Sequence, residues 1–129
     1  TDELLITADT VVLLDGQILG KPHDLDDARR MLHRLSGRQH EVVSGVSLTT
    51  IDWQISFSSH TLVTFAQLTN SEIDHYVARY QPLDKAGAYG IQEWIGYIGV
   101  SHIEGSFYNV MGLPVQRLYR VLQDADLFS

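Results

Sequence analysis

Residues 40–65 limit the fold more than any other stretch of this chain. "HEVVSGVSLTT" (40–50) and "WQISFSSHTLVTF" (53–65) read as two long strands joined by a tight turn near Asp52. In the second, Trp53, Ile55, Phe57, Val63 and Phe65 are spaced in even steps, so they share one strand face. Upstream, "LLITADTVVLL" (4–14) is nearly continuous in Leu, Ile, Val and Thr. It reads as a central strand, or two abutting strands, buried on both faces. Asp15-Gly16 then read as a hairpin turn into a short return strand, "QIL".

Helices punctuate these strands. In "DLDDARRMLHRLSG" (24–37), Asp24 can cap the start, and Asp26 and Asp27 suit the positive N-terminal end. Leu25, Ala28, Leu32 and Leu35 recur at helical spacing, and Gly37 suits the terminating position. "TNSE" (69–72) has capping-box spacing, and Ile73, Tyr76, Val77 and Tyr80 form the stripe that follows, up to Pro82. "WIGYIGVSHI" (94–103) reads as a strand and "GSFYNVMGLP" (105–114) as a loop. Pro114 can start a last helix bearing Val115, Leu118 and Leu122.

The order is β, β, α, β, β, α, loop, β, α. It predicts a mixed α/β (α+β) fold, a mixed twisted sheet with flanking helices, in one domain over residues 1–129. The chain begins almost directly on an apolar strand, so the expectation is a missing N-terminal piece.

Composition narrows the function. With 44% apolar and 19% charged residues the chain is globular rather than disordered. No Cys is present, which excludes disulfides and thiolate metal sites. No apolar run is long enough for a bilayer and no leader-like segment opens the chain, so no membrane partner is expected and a cytoplasmic location is. A net charge of −7 argues against a nucleic-acid-binding surface. A small anion can still be held in a locally basic pocket.

"DKAGAYGIQ" (84–92) raises that prospect, with Lys85 beside Asp84, glycines that allow close backbone approach, and the amide of Gln92. Lys21, between Gly20 and Pro22, sits at a loop mouth from which it can reach a phosphate, or it is a solvated loop Lys. Asp9 ends an apolar segment and is followed by Thr10. By position alone a turn-capping Asp is the slightly better reading, although ligands also bind at strand ends. The six histidines show no metal-ligand spacing on one helix face, and Asp124 and Asp126 read as a solvated tail. Ser44, Ser47 and Ser106 have no nucleophile-elbow context.

Taken together, "ADTVVLLDGQILGKP", "ARRMLHRLSGRQHEVVSGV", "PLDKAGAYGIQ" and "GSFYNVMGLP" resemble the Maf family, the septum formation proteins, over nearly the whole chain from Ile6 to about Leu122. The resemblance implies an inosine triphosphate pyrophosphatase-like fold. It also implies hydrolysis of a nucleoside triphosphate to the monophosphate and pyrophosphate with a divalent metal, Mg or Mn. It makes Asp9 the proton acceptor and metal-side carboxylate. Thr10 and Gln92 would bear on substrate choice, and Lys21, Asp84 and Lys85 would face the nucleotide. "DKAGAYGIQ" resembles the branch acting on dTTP and UTP, and a homodimer is compatible with the family. Family members carry a Ser-x-Ser-Pro-Arg-Arg loop ahead of "ADT", which this chain lacks. The expectation is therefore weak turnover, with a nucleotide-binding-only fragment or a division-regulating interaction protein as the alternative.

Overall fold

The computed structural model describes residues 3–124. Five strands form one sheet in the order β2-β1-β3-β4-β5. They are β1 (Leu5–Leu14), β2 (Gln17–Leu19), β3 (Gln39–Thr49), β4 (Gln54–Phe65) and β5 (Val100–Glu104). Among the described residues every pairing is antiparallel, where the sequence predicts a mixed sheet. The Asp15-Gly16 turn has already reversed the chain before the first helix carries it back. β3 therefore enters at the end where β1 finishes, with Glu41 opposite Leu13.

The helices are α1 (Leu25–Leu35), α2 (Asn70–Tyr80), α3 (Trp94–Gly99), α4 (Phe107–Met111) and α5 (Val115–Asp124). The Asp24 carboxylate accepts from Asp27 N at 2.7 Å and starts α1, whose Ala28, Leu32 and Leu35 are fully buried. At α2 both halves of the Thr69–Glu72 capping box form, and Ile73, Tyr76 and Val77 face the core. Tyr80 is more exposed and stacks on Tyr76. In α5, Leu118 and Leu122 are buried while Val115 is exposed. Asp124 closes that helix, and Asp126 lies outside the described residues.

β3 alternates strictly. His40, Val42, Ser44, Val46 and Leu48 are buried, and the residues between them are not. The buried face carries two separate apolar clusters. Val12, Val42, Val63 and Phe65 pack with α1, α2 and α3, while Val46 and Leu48 pack with Leu118 and Leu122 of α5. Between the clusters lie buried polar side chains, Ser44, Thr61 and Asn109. The opposite face shows Glu41, Ser47, Ser56 and His60, tied by Ser47–Ser56 and His60–Glu41 hydrogen bonds of 2.8 and 3.2 Å.

Three segments depart from the sequence reading. β1 is not buried on both faces, for Leu5 is 62% and Ile6 41% exposed, and full burial begins only at Val12. β2 pairs with Val12–Leu14 alone, so the outer edge of the first half of β1 meets no strand among the described residues. An apolar run reports the demand for burial without saying which part is covered. "WIGYIG" is the helix α3, and the strand starts only at Val100. "FYNVM" is the helix α4, capped by Ser106, whose Oγ accepts from Asn109 N at 3.2 Å.

α3 depends on a close approach. A Cβ on Gly96 would lie 1.8 Å from the Ile91 carbonyl oxygen. Gly96→Ala must therefore displace backbone on one side or the other, and it is expected to cost about 3 kcal/mol or more in urea unfolding. A midpoint equal to that of the parent would show that α3 can move away freely.

Candidate active site

An open cavity of about 230 Å³ lies on the buried face, between the two apolar clusters. Thr10, Val12 and Val42 floor it, the 84–92 loop walls one side, and Val110, Met111 and Gly112 at the end of α4 wall the other. Asp9, Thr10, Lys21, Asp84, Lys85 and Gln92, all singled out in the sequence, border this one cavity. They come from three separate segments, which only the tertiary fold brings together.

Asp9 pairs with Gly45 and Thr10 with Ser44. Strand alternation sends these two neighbours to opposite faces: Thr10 lies on the cavity's face, and Asp9 borders the cavity where the outer edge of β1 has no strand beside it among the described residues. It also borders a second groove, with Thr7, Gly45 and Ser47. Its carboxylate has no hydrogen-bond or ion-pair partner among the described residues, nor has the Lys21 ammonium. Lys85 Nζ stands 3.5 Å from Asp84 Oδ2 and 4.0 Å from Glu93 Oε1. Such loose, part-exposed pairs contribute little stability, so the lysine remains available to an anion.

The loop is held from several sides. Gly87 N donates to Gly20 O at 3.1 Å, which ties the Lys85 turn to the Lys21 segment. Tyr76 Oη donates to Glu93 Oε1 at 2.7 Å and accepts from Gly90 N at 3.2 Å. Burial, and next the bond to Glu93, hold the Tyr76 phenol above its ordinary range, so it stays a donor. A Cβ on Gly90 would lie 2.6 Å from Glu93 Oε1 and 2.8 Å from Lys85 Cε. The lysine stem passes over bare backbone there. Ala88 closes the 3₁₀ turn Ala86–Ala88 at φ 65°, a left-handed conformation, with its methyl group fully buried.

The sequence reading missed several residues around the cavity. Glu93 follows Gln92 directly and orients both Lys85 and Tyr76. Tyr89 lines the cavity, and its hydroxyl lies 2.6 Å from Nε2 of the buried His40. Phe65, His40 and Tyr89 meet edge to face. His40 Nδ1 is buried with no partner among the described residues. One unmatched neutral ring nitrogen costs less than a buried imidazolium charge, so the ring is neutral in either tautomer. Burial pushes its imidazole down from 6.5 to about 4. Asn109 is fully buried, and its Nδ2 reaches Val42 O, Ser59 O and Thr61 Oγ1 at 3.1, 3.1 and 2.8 Å. Ser44 bridges Thr10 and Asn109. A Ser-to-Gly spacing from 106 to 112 was the available signal for a capped helix there.

Metal-ligating capacity is slight. Among the described residues no group of three or more His, Asp or Glu side chains could hold a metal ion by itself. No helix among them is long and apolar enough to cross a membrane.

Residues 1–125 match the model of the family described as Maf-like protein. The chain is 64% identical over 122 residues to a dTTP/UTP pyrophosphatase of Phocaeicola vulgatus, covering 95% of this chain and 63% of that protein. It is 62% identical to a dTTP/UTP pyrophosphatase of Porphyromonas gingivalis, over 94% of this chain and 61% of the relative. Against a protein of the same name from Christiangramia forsetii it is 46% identical, over 95% and 63%. The chain thus spans about three fifths of the length of the curated relatives it matches.

The His40 environment fixes the sign of a pH effect. Its folded-state pKa lies below the unfolded value, so its contribution is complete above pH 6.5 and is lost as pH falls from 6.5 toward 4. Between pH 7 and pH 5 the parent should lose about 2 kcal/mol more unfolding free energy than His40→Gln, which cannot titrate. Parallel urea titrations at the two pH values measure the difference, and equal losses would contradict a neutral buried ring.

Proposed function

The chain belongs to the Maf family, and on that premise we propose that it is a nucleoside triphosphate pyrophosphatase acting on dTTP and UTP. One observation carries this reading. Asp9, Thr10, Lys21, Asp84, Lys85 and Gln92, drawn from distant parts of the sequence, border a single cavity. The relatives' shared name, dTTP/UTP pyrophosphatase, supports the choice of substrate. An inosine triphosphate pyrophosphatase-like fold and a cytoplasmic location go with the same reading.

The reaction is in-line attack of water on the α-phosphorus. A new P–O bond forms, the bond from the α-phosphorus to the bridging oxygen breaks, and pyrophosphate leaves. Asp9, whose carboxylate has no partner among the described residues, accepts the proton of the attacking water. Lys21 and Lys85 offset the charge that collects on the leaving group. Gln92 offers both a donor and an acceptor to a base edge.

The acidic residues suit a hard cation that arrives with the nucleotide rather than a resident one. Magnesium is commonly held by one or two carboxylates together with substrate phosphates. Asp9 fits that description, and the absence of a three-ligand cluster among the described residues agrees with it. Such a cation would supply charge neutralisation at the phosphate oxygens.

A second reading, nucleotide binding without turnover, has its own support. Among the described lining residues only Lys21 and Lys85 are cationic, a small complement for a triphosphate. Pyrophosphate release from dTTP, UTP, CTP, GTP and 7-methyl-GTP with magnesium or manganese separates the two. Highest kcat/KM on dTTP and UTP is expected. Binding with no release at any metal concentration would favour the second reading, and a preference for 7-methyl-GTP would overturn the substrate assignment.

Asp9→Asn keeps the shape and removes the base, so kcat should fall by about a hundredfold or more with circular dichroism unchanged. Lys85→Ala should lower kcat/KM on UTP by about 1.5–3 kcal/mol, the worth of a charged hydrogen bond. Near-parental turnover in Asp9→Asn would remove Asp9 from the chemistry.

A further inference from the structure

The hydrogen bonds behind Thr10 can be assigned proton by proton. Ser44 Oγ donates to the Asn109 carbonyl oxygen at 3.1 Å. A carbonyl can only accept, and Ser44 is 0% exposed, so its single hydroxyl proton is committed. Ser44 Oγ also stands 2.9 Å from Thr10 Oγ1. With the serine proton spent, Thr10 must be the donor in that contact. Thr10 therefore has no proton left for the cavity it borders and presents only lone pairs there.

The arrangement cannot easily reverse. The Asn109 carbonyl also accepts from Gly112 N at 3.0 Å, which fixes it at the end of α4. The Asn109 side chain is clamped to Val42, Ser59 and Thr61. Turning the serine hydroxyl toward Thr10 would give up its bond to that carbonyl and leave the carbonyl to the Gly112 N–H alone. Gln92 differs, because an amide can rotate to offer either its donor or its acceptor.

We infer that Ser44 is a positioning residue which makes Thr10 an acceptor-only group and so selects bases that bring a ring N–H. This rests on the pyrimidine triphosphate reading above. Uracil and thymine carry a proton on N3 and satisfy the Thr10 lone pairs. Cytosine carries a lone pair on N3, and two acceptors then face each other with nothing between them. A site whose polar group is left unpaired discriminates more strongly than one that merely lacks a contact.

The test compares UTP with CTP in kcat/KM, and in binding of their α,β-imido analogues. The parent should prefer the uridine nucleotide. In Ser44→Ala the Thr10 hydroxyl is free to turn and donate. The uridine-to-cytidine ratio should then fall about tenfold, the worth of one neutral hydrogen bond. Ser44→Thr keeps a hydroxyl and should keep the ratio. Thr10→Val should collapse the ratio alone, and adding Ser44→Ala to it should change the ratio no further. A purely structural role would lower both substrates equally and leave the ratio intact, which overturns the inference while the proposed function stands. If Ser44→Ala does not fold, Thr10→Val decides, and an unchanged ratio there overturns the inference. Failure of the parent to bind either analogue would overturn the proposed function and the inference together.

Discussion

One buried amide sets the geometry on which the rest depends. Asn109 is fully enclosed, and its Nδ2 group is shared among two strand carbonyls and the Thr61 hydroxyl. Its Oδ1 already lacks a partner among the described residues, and leaving the Nδ2 group unmatched as well would cost on the order of 1–3 kcal/mol, so α4 has one seat on the sheet rather than several. Thr61 strengthens that seat, donating to Ser106 O at 3.2 Å and accepting from Ser106 N at 3.2 Å. The cavity wall formed by Val110, Met111 and Gly112 is thereby placed by β3 and β4, not by α4 itself, which is too short to be stable alone.

This polar seam also explains why there is a cavity. A sheet face covered by one continuous apolar layer would have no opening at its centre. Here the α1–α3 cluster and the α5 cluster stop on either side of Ser44, Thr61 and Asn109. The gap between them is where Thr10 looks out and where the 84–92 loop closes over. In a chain of net charge −7, that gap holds two lysines whose bonds to carboxylates among the described residues are long or missing. Local availability of positive charge, not the global balance, is what suits the place to a polyanion.

Much of this was legible in residue order. The alternation of β3 and β4, the Asp15-Gly16 turn, the Asp24 cap and the Thr69–Glu72 box all appear where their local chemistry places them. Local chemistry failed where helices were short. α3 has six residues and α4 five, too few to show a stripe, and both lie in apolar text that suits a strand or loop equally well. Position within the sheet was equally hidden, as the exposure of Leu5 and Ile6 shows. At the site, resemblance brought forward the residues that border the cavity, and left out those behind them. Ser44 has no nucleophile-elbow context to draw notice in the sequence. Its place between Thr10 and Asn109 depends on contacts 34 and 65 residues away, which no local pattern encodes.

Ala88 carries a last consequence. A residue with a side chain is held at φ 65°, where ordinary L-residues lose about 1–2 kcal/mol, and the burial of its methyl group in the main core, with the Ala88 N to Lys85 O and Gly87 N to Gly20 O bonds, holds it there. The loop bearing Lys85 is therefore not at rest in its own backbone. It resembles a latch under tension whose catch is the hydrophobic core. Softening the core anywhere along α1 or α2 would relax the latch first, so the cavity wall would lose its shape in conditions where the long strands remain paired.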